Sequence, residues 1–290
     1  AQEGILPKIS HAFVKMLDGK DTINPDDAKW VEKGDWGTNG KFVVDNDGNA
    51  VIYAIDASKP IVFHDMHNEN VKLPTDTLTS LTFQDKVQGD TNSSMNWAFV
   101  DTFDTTFANL KTFNNLKTIN NLDTNVDTSN VTNMSKMFWN SQLTTVGDLS
   151  QWDTSNVTNM GSMFYESQIT TVGDLSKWNT SNVTDMQAMF YNSKLTTVGD
   201  LSQWDTSNVA IMSGMFENSQ LTSVGDLSQW NTSNVIYMGG MFRESNLTSV
   251  GDLSQWNTSN VYNMSWMFAG SQLTPPSWYH SDEWDMDLSV

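Results

Sequence analysis

Cysteine is absent from the 290 residues. That excludes a disulfide framework and thiolate metal sites, so the folded state rests on packing alone. Basic residues are scarce: 15 Lys and Arg stand against 34 Asp and Glu, for a formal charge of -19. Nucleic acid and anionic membrane both reward clustered cations, so neither is an expected partner. No stretch approaches the roughly 20 apolar residues of a membrane span, so no membrane insertion is expected of this chain. No positively charged apolar leader opens it, and Ala1-Gln2-Glu3 reads either as a mature end or as a cut edge. The negative charge falls towards zero as the medium nears a carboxylate pKa of about 4, so self-association is expected to depend on acid.

What is present is a repeat. Trp152, Trp178, Trp204, Trp230 and Trp256 recur every 26 residues, as do Phe138, Phe164, Phe190, Phe216, Phe242 and Phe268. One unit, Leu143 to Gln168, reads LTTVGDLSQWDTSNVTNMGSMFYESQ. Its apolar residues fall in two sets. Leu143, Val146, Leu149 and Trp152 come every third residue, among Thr and Val, and predict a short strand with a turn behind it. Val157, Met160, Met163 and Phe164 stand at i, i+3, i+6 and i+7 and predict one or two helical turns. Ser155 or Thr154 is placed to cap that helix. One short strand plus one short helix in 20 to 29 residues describes a leucine-rich-repeat coil.

A lone coil cannot bury these side chains, whereas stacking sets each beside its own copy. Burying a Trp or Phe is worth on the order of 2–3 kcal/mol, so the recurring Trp read as core. Stacking also aligns Asp148, Asp174, Asp200, Asp226 and Asp252, and separately Asn130, Asn156, Asn182, Asn208, Asn234 and Asn260. The Asn series is expected to satisfy turn backbone. The Asp series is expected to accept from loop amides; calcium ligand sets are not evident as a motif, and whether Ca²⁺ binds stays open. No cofactor or metal is expected.

The repeat decays at both ends. Leu116, Ile119, Leu122 and Val126 reproduce the first spacing with one extra residue, and Phe107, Leu110 and Phe113 continue it upstream. Downstream, Pro275 and Pro276 remove donors that a ladder needs, and the polar, aromatic end looks like a lid. Before residue 100 the chain differs in kind. Lys41–Val44 and Ala50–Tyr53 flank Asn46-Asp47-Gly48, a hairpin signal; Pro60–Phe63 and Leu78–Phe83 add strand-like runs. His64-Asp65-Met66-His67 with Glu69 reads as a surface loop, because two His without a third ligand make a weak metal motif. The expected fold is an α/β repeat solenoid, leucine-rich-repeat-like, with short parallel strands and short helices and a small β-rich N-terminal domain. The divisions are 1–100 for the β-rich or capping domain, 101–273 for the 26-residue units, and 274–290 for a cap or cut edge.

The phrase Leu-Ser-x-Trp-Asp/Asn-Thr-Ser-Asn-Val-Thr-x-Met-x-x-Met-Phe closely resembles the BspA-type leucine-rich-repeat surface proteins of lactobacilli and other animal-associated bacteria. Residues 143–268 follow the family motif, with Trp where Phe is common and Gly147 added before Asp148. Trp36-Gly37 through Ile52-Tyr53 is similar to the hairpin that often precedes such repeats. The resemblance implies a secreted, extracellular, wall-associated protein of the bacterial surface, an adhesin for host glycans, mucus, matrix or an epithelial receptor. No LPxTG-type motif or lipobox is present, so wall anchoring rests on the resemblance alone.

Positions that vary between units are the candidates for binding. Trp139, Tyr165 and Tyr191 follow the ladder Phe, and Tyr237, Tyr262 and Trp266 stand off the core face in later units. Exposed aromatics on a rigid scaffold give apolar area at small entropic cost; the bland reading is that they pad the turns. The alternative site is the strand face bearing Asp148, Asp174, Asp200, Asp226 and Asp252. The expected function is adhesion by a monomeric binding module, with a structural spacer that projects another domain as the alternative. An enzyme is not expected, because the carboxylates recur in every unit and catalysis needs a unique desolvated constellation.

Overall fold

The structure is a computed structural model that describes residues 22–101 and 110–286. Ala1-Gln2-Glu3 and Phe107 lie outside the described residues. The chain begins with three antiparallel strands, β1 (Trp30–Asp35), β2 (Gly40–Asp45) and β3 (Asn49–Ala54). The β2–β3 turn forms because the Asp45 carboxylate accepts from the amides of Asp47 and Asn49, at 2.9 and 3.0 Å. Gly48 closes it at φ 82°, where a side chain would be strained.

Pairing then becomes parallel. β3 pairs with β5 (Ser80–Phe83) and β5 with β7 (Thr118–Asn120), completing a five-stranded sheet in the order β1-β2-β3-β5-β7. A second sheet joins β4 (Ile61–Asp65), β6 (Val87–Ser94) and β8 (Val126–Asp127), with β9 (Val131–Asn133) further along β6. The helices of the described residues are single turns: α1 (Met66–Asn70), α2 (Leu122–Asn125) and α3 (Ser281–Trp284). The parallel ladders run through residue 100, and the buried apolar residues from Trp36 to Tyr279 form one cluster.

From Asn133 onward, strands shrink to isolated parallel bridges between equivalent positions of successive units. One series runs Asn133, Asn159, Asp185, Ile211, Tyr237, Asn263; another joins Thr145, Thr171 and Thr197. The described chain is thus mostly strand and turn, and the short helices expected in the repeats do not form. The backbone shows why. The amides of Met160, Ser162, Phe164 and Glu166 donate to Asp185, Gln187, Met189 and Tyr191, all in the next unit. The amides of Met163, Tyr165 and Ser167 donate three residues back. Every second donor is therefore committed between units, and a helix would need them all within one. Ser162 and Glu166 sit at φ 56° and 52°, which interrupts right-handed winding at each alternate turn.

The cap expected at Ser155 or Thr154 is also reassigned. The Asp153 carboxylate accepts from the Ser155 amide at 2.9 Å, while the Thr154 hydroxyl donates to Asn179 of the next unit. Inside the stack, all eight apolar positions of a unit are buried, and the Phe rings from Phe99 to Phe268 stack at 5.5–5.9 Å. Each indole N–H from Trp178 to Trp256 donates 2.9 Å to the Leu carbonyl one unit back. Asn156, Asn182, Asn208, Asn234 and Asn260 donate to the Ser carbonyl of the preceding unit, the backbone duty expected of them.

Candidate functional site

Each aromatic candidate takes its place from the ladder that carries it. Trp139, Tyr165 and Tyr191 follow the stacked Phe and form a column of their own. Trp139 and Tyr165 lie 3.9 Å apart with planes 8° from parallel, and Tyr165 and Tyr191 lie 4.6 Å apart at 10°. Sequence reading missed a further member. Trp97 packs on Trp139 at 5.6 Å and carries the Lys136 ammonium over its ring. The signal was there: Met95-x-x-Ala98-Phe99 is a variant of Met-x-x-Met-Phe, and its backbone pairs with 133–139 as the later units pair. All three predicted rings of this column are half-buried. Burial pushes the Tyr165 phenol up to about 12 and raises that of Tyr191. The ring faces cover one another, so the column offers a ligand mainly edges.

Tyr237 and Tyr262 have a different origin. In earlier units the amide and hydroxyl of Thr158 and Thr184 both donate to the Thr carbonyl one unit back. Ala210, Ile236 and Tyr262 occupy that same ladder and keep its backbone bonds at 2.7–2.9 Å, but lose the hydroxyl. On the adjoining ladder, Ile211 and Tyr237 replace Asn159 and Asp185. An apolar patch results. Tyr262 is 78% exposed, Tyr237 39% and Ile236 38%, and the two phenol rings meet edge-to-face at 6.2 Å. This pair makes no ring contact with the Trp139–Tyr191 column among the described residues.

Trp266 belongs to neither group. Its amide donates to the Asp285 carboxylate, which also receives the Tyr279 hydroxyl. The Arg243 guanidinium lies over its ring, and the Tyr279 hydroxyl accepts from the Met267 amide. Trp266 therefore helps fasten the α3 segment and is half-buried.

The acidic ladder is exposed and structurally engaged. Asp148, Asp174, Asp200, Asp226 and Asp252 each accept from the Ser amide two residues on, at 2.8–2.9 Å. That backbone bond holds the carboxyls of Asp148, Asp174, Asp226 and Asp252 below the usual carboxylate range. Each carboxylate from Asp148 to Asp226 also lies against the glycine of the next unit. A Cβ on Gly199, at φ 83°, would sit 2.1 Å from Asp174 Oδ1.

The His64–Glu69 run is not a loop but the end of β4 and the turn of α1. Its side chains part company: His64 pairs with Asp90 at 2.7 Å, His67 bonds the Trp97 carbonyl, and Glu69 accepts from the Gly37 amide. Among the described residues no group of three or more His, Asp or Glu could hold a metal ion.

Comparison with known proteins adds the family. No curated protein matches the chain. Among solved structures, a leucine-rich repeat protein from Eubacterium ventriosum ATCC 27560 is similar at 12% identity, with 86% of this chain and 97% of that one covered and a TM-score of 0.18. So loose a superposition does not speak for a shared fold. The family described as "Mycoplasma protein of unknown function, DUF285" matches residues 101–220 and 194–286, which together exceed half the chain. By that match over the stacked units, the chain belongs to the DUF285 family.

Proposed function

We propose that the stacked units form a leucine-rich-repeat-like solenoid serving as the rigid scaffold of a bacterial cell-surface adhesin, and that Ile236, Tyr237 and Tyr262 contact a host-surface glycan or protein. The observation that carries this reading is the exposure of Tyr262 and Tyr237 on ladders that hold Thr, Asn and Asp as far as residue 185. A position that could keep its threonine bond instead presents an aromatic ring to water, without gain to the stack. Trp139, Tyr165 and Tyr191 support the scaffold in this reading, since their faces are taken. The strong negative charge keeps the chain soluble and directs it away from other acidic surfaces.

The test is a glycan and matrix-protein array probed with the purified chain. Binding that falls tenfold or more in Tyr262→Ala and Tyr237→Ala, and persists in Tyr191→Ala, supports the patch. Binding indifferent to the first two variants overturns it. The spacer reading draws on the units from Leu143 to Val209, whose exposed positions are polar or glycine throughout; silence across the array would favour it.

A further inference from the structure

The last repeat is cut short, and the cut leaves a cleft. Leu273 and Trp278 resume the ladders of Leu247 and Trp256 with four residues fewer between them. Both ends are in register. The Leu273 amide donates to Ser271 Oγ at 3.1 Å, as that of Leu247 does to Ser245. The Trp278 indole donates 2.8 Å to the Leu253 carbonyl and stacks on Trp256 at 6.4 Å. Where earlier units place Val-Gly-Asp-Leu, this one has nothing to place. A cleft of about 540 Å³ opens between residues 248–254 and 272–277.

The wall at 248–254 is extended chain bridged to the preceding unit at Ser249, and four earlier units show how its next neighbour would pair. Leu149, Leu175, Leu201 and Leu227 each donate an amide 2.8 Å to the Val carbonyl of the following unit. Among the described residues, the Leu253 amide has no such carbonyl. The carboxylates of Asp148 to Asp226 each face the next glycine, whereas the Asp252 carboxylate faces no further glycine among them. The opposite wall does not supply that carbonyl: Pro276 gives its own to the Tyr279 amide, and neither Pro275 nor Pro276 has an N–H to donate back across the gap.

We propose that this cleft is a second binding site, which takes a short, extended, glycine-containing segment of a partner protein by strand addition. The segment sets a carbonyl on the Leu253 amide and a glycine over Asp252. The main chain supplies the bonds, and the carboxylate selects for the absence of a side chain at one position. A side chain there would meet Asp252 as a Cβ on Gly251 would meet Asp226, at 2.0 Å.

The probe is a fluorescent peptide of the chain's own sequence at residues 247–254, Leu-Thr-Ser-Val-Gly-Asp-Leu-Ser, titrated with the whole protein and followed by anisotropy. Saturable binding below about 1 mM is expected, weakened at least tenfold when the peptide's glycine is replaced by valine. A chain in which residues 275–277 become Ser-Val-Gly-Asp-Leu-Ser-Gln fills its own gap and should bind no peptide. Should that chain not fold, Asp252→Lys, a change at an exposed side chain, should weaken binding at least fivefold. No saturation up to that concentration, or equal binding of the valine peptide, overturns the proposal; so does undiminished binding by the filled chain or, where that does not fold, by Asp252→Lys. Tyr262→Ala should bind the peptide as the native chain does, which separates this site from the aromatic patch.

Discussion

Among the described residues the buried indole N–H of Trp152 has no hydrogen-bond partner, while the same atom of Trp204 donates to Leu175. The difference arises because Trp152 is the first of the series: the preceding unit has Val126 at that position and α2 where Leu149 stands. A satisfied hydrogen bond is worth about 1 kcal/mol net, and a buried orphan costs at least as much. Trp152→Phe is therefore expected to cost about 1–2 kcal/mol less than Trp204→Phe in urea denaturation, although the two rings are buried alike. Gly199→Ala combines a left-handed backbone with the approach to Asp174 and should lose about 2–3 kcal/mol. Adding Asp174→Gly should recover only part of that loss. Asp101 is 1% exposed, and burial pushes its carboxyl up to about 6. Its ionisation opposes the fold, so the penalty is absent below the ordinary value near 4 and complete above 6. Asp101→Asn is expected to stabilise the protein by about 1–3 kcal/mol at pH 7 and by little near pH 4. A gain of the same size at both would refute this account.

At the scale of the element, the apolar spacing spoke for a helix and the structure has turns. The positions i, i+3, i+6 and i+7 are buried as expected, but such spacing reports which side chains face inward, not which carbonyl an amide chooses. Left-handed residues disguised the choice, since Ser162, Glu166 and Asn192 carry no glycine signal. The β2–β3 hairpin was legible because Asn46-Asp47-Gly48 states its own turn chemistry. β6 was not, because Val-Gln-Gly-Asp-Thr-Asn-Ser-Ser has little apolar alternation and gains its place from neighbours on both sides. Of the candidate residues, sequence identified the variable aromatics; which of them spend their faces on one another is set by stacking distance alone. A far-UV circular dichroism spectrum should lack the paired helical minima, and a strong helical signal would contradict the turn assignment. The Asp–Ser turns carry a pH signature as well. The carboxyls of Asp148, Asp174, Asp226 and Asp252 titrate below the ordinary range, so the stability they contribute is present above about pH 4 and lost as the pH falls through the depressed values. Thermal melts should show that loss on acidification.

For the whole molecule, the property that reaches furthest is charge. A formal charge of -19 at neutrality makes copies repel one another, and that repulsion fades as the carboxylates protonate near pH 4. Light scattering should therefore show association rising between pH 7 and the sequence pI near 4.2, and a flat profile would count against the charge account.

Because neighbouring units in the middle of the stack are joined by the same bonds, any one of them can be lost or duplicated whole without leaving a bond unmade. The chain is in that sense a ruler graduated in strand spacings of about 4.8 Å. Removing one whole unit, Ile169 to Lys194, would carry Ile236, Tyr237 and Tyr262 one graduation towards the first sheet with their neighbours Ala210 and Ile211 still beside them. On the proposed reading, reach and recognition would be inherited separately: one set by the number of copies, the other by the side chains of Ile236, Tyr237 and Tyr262.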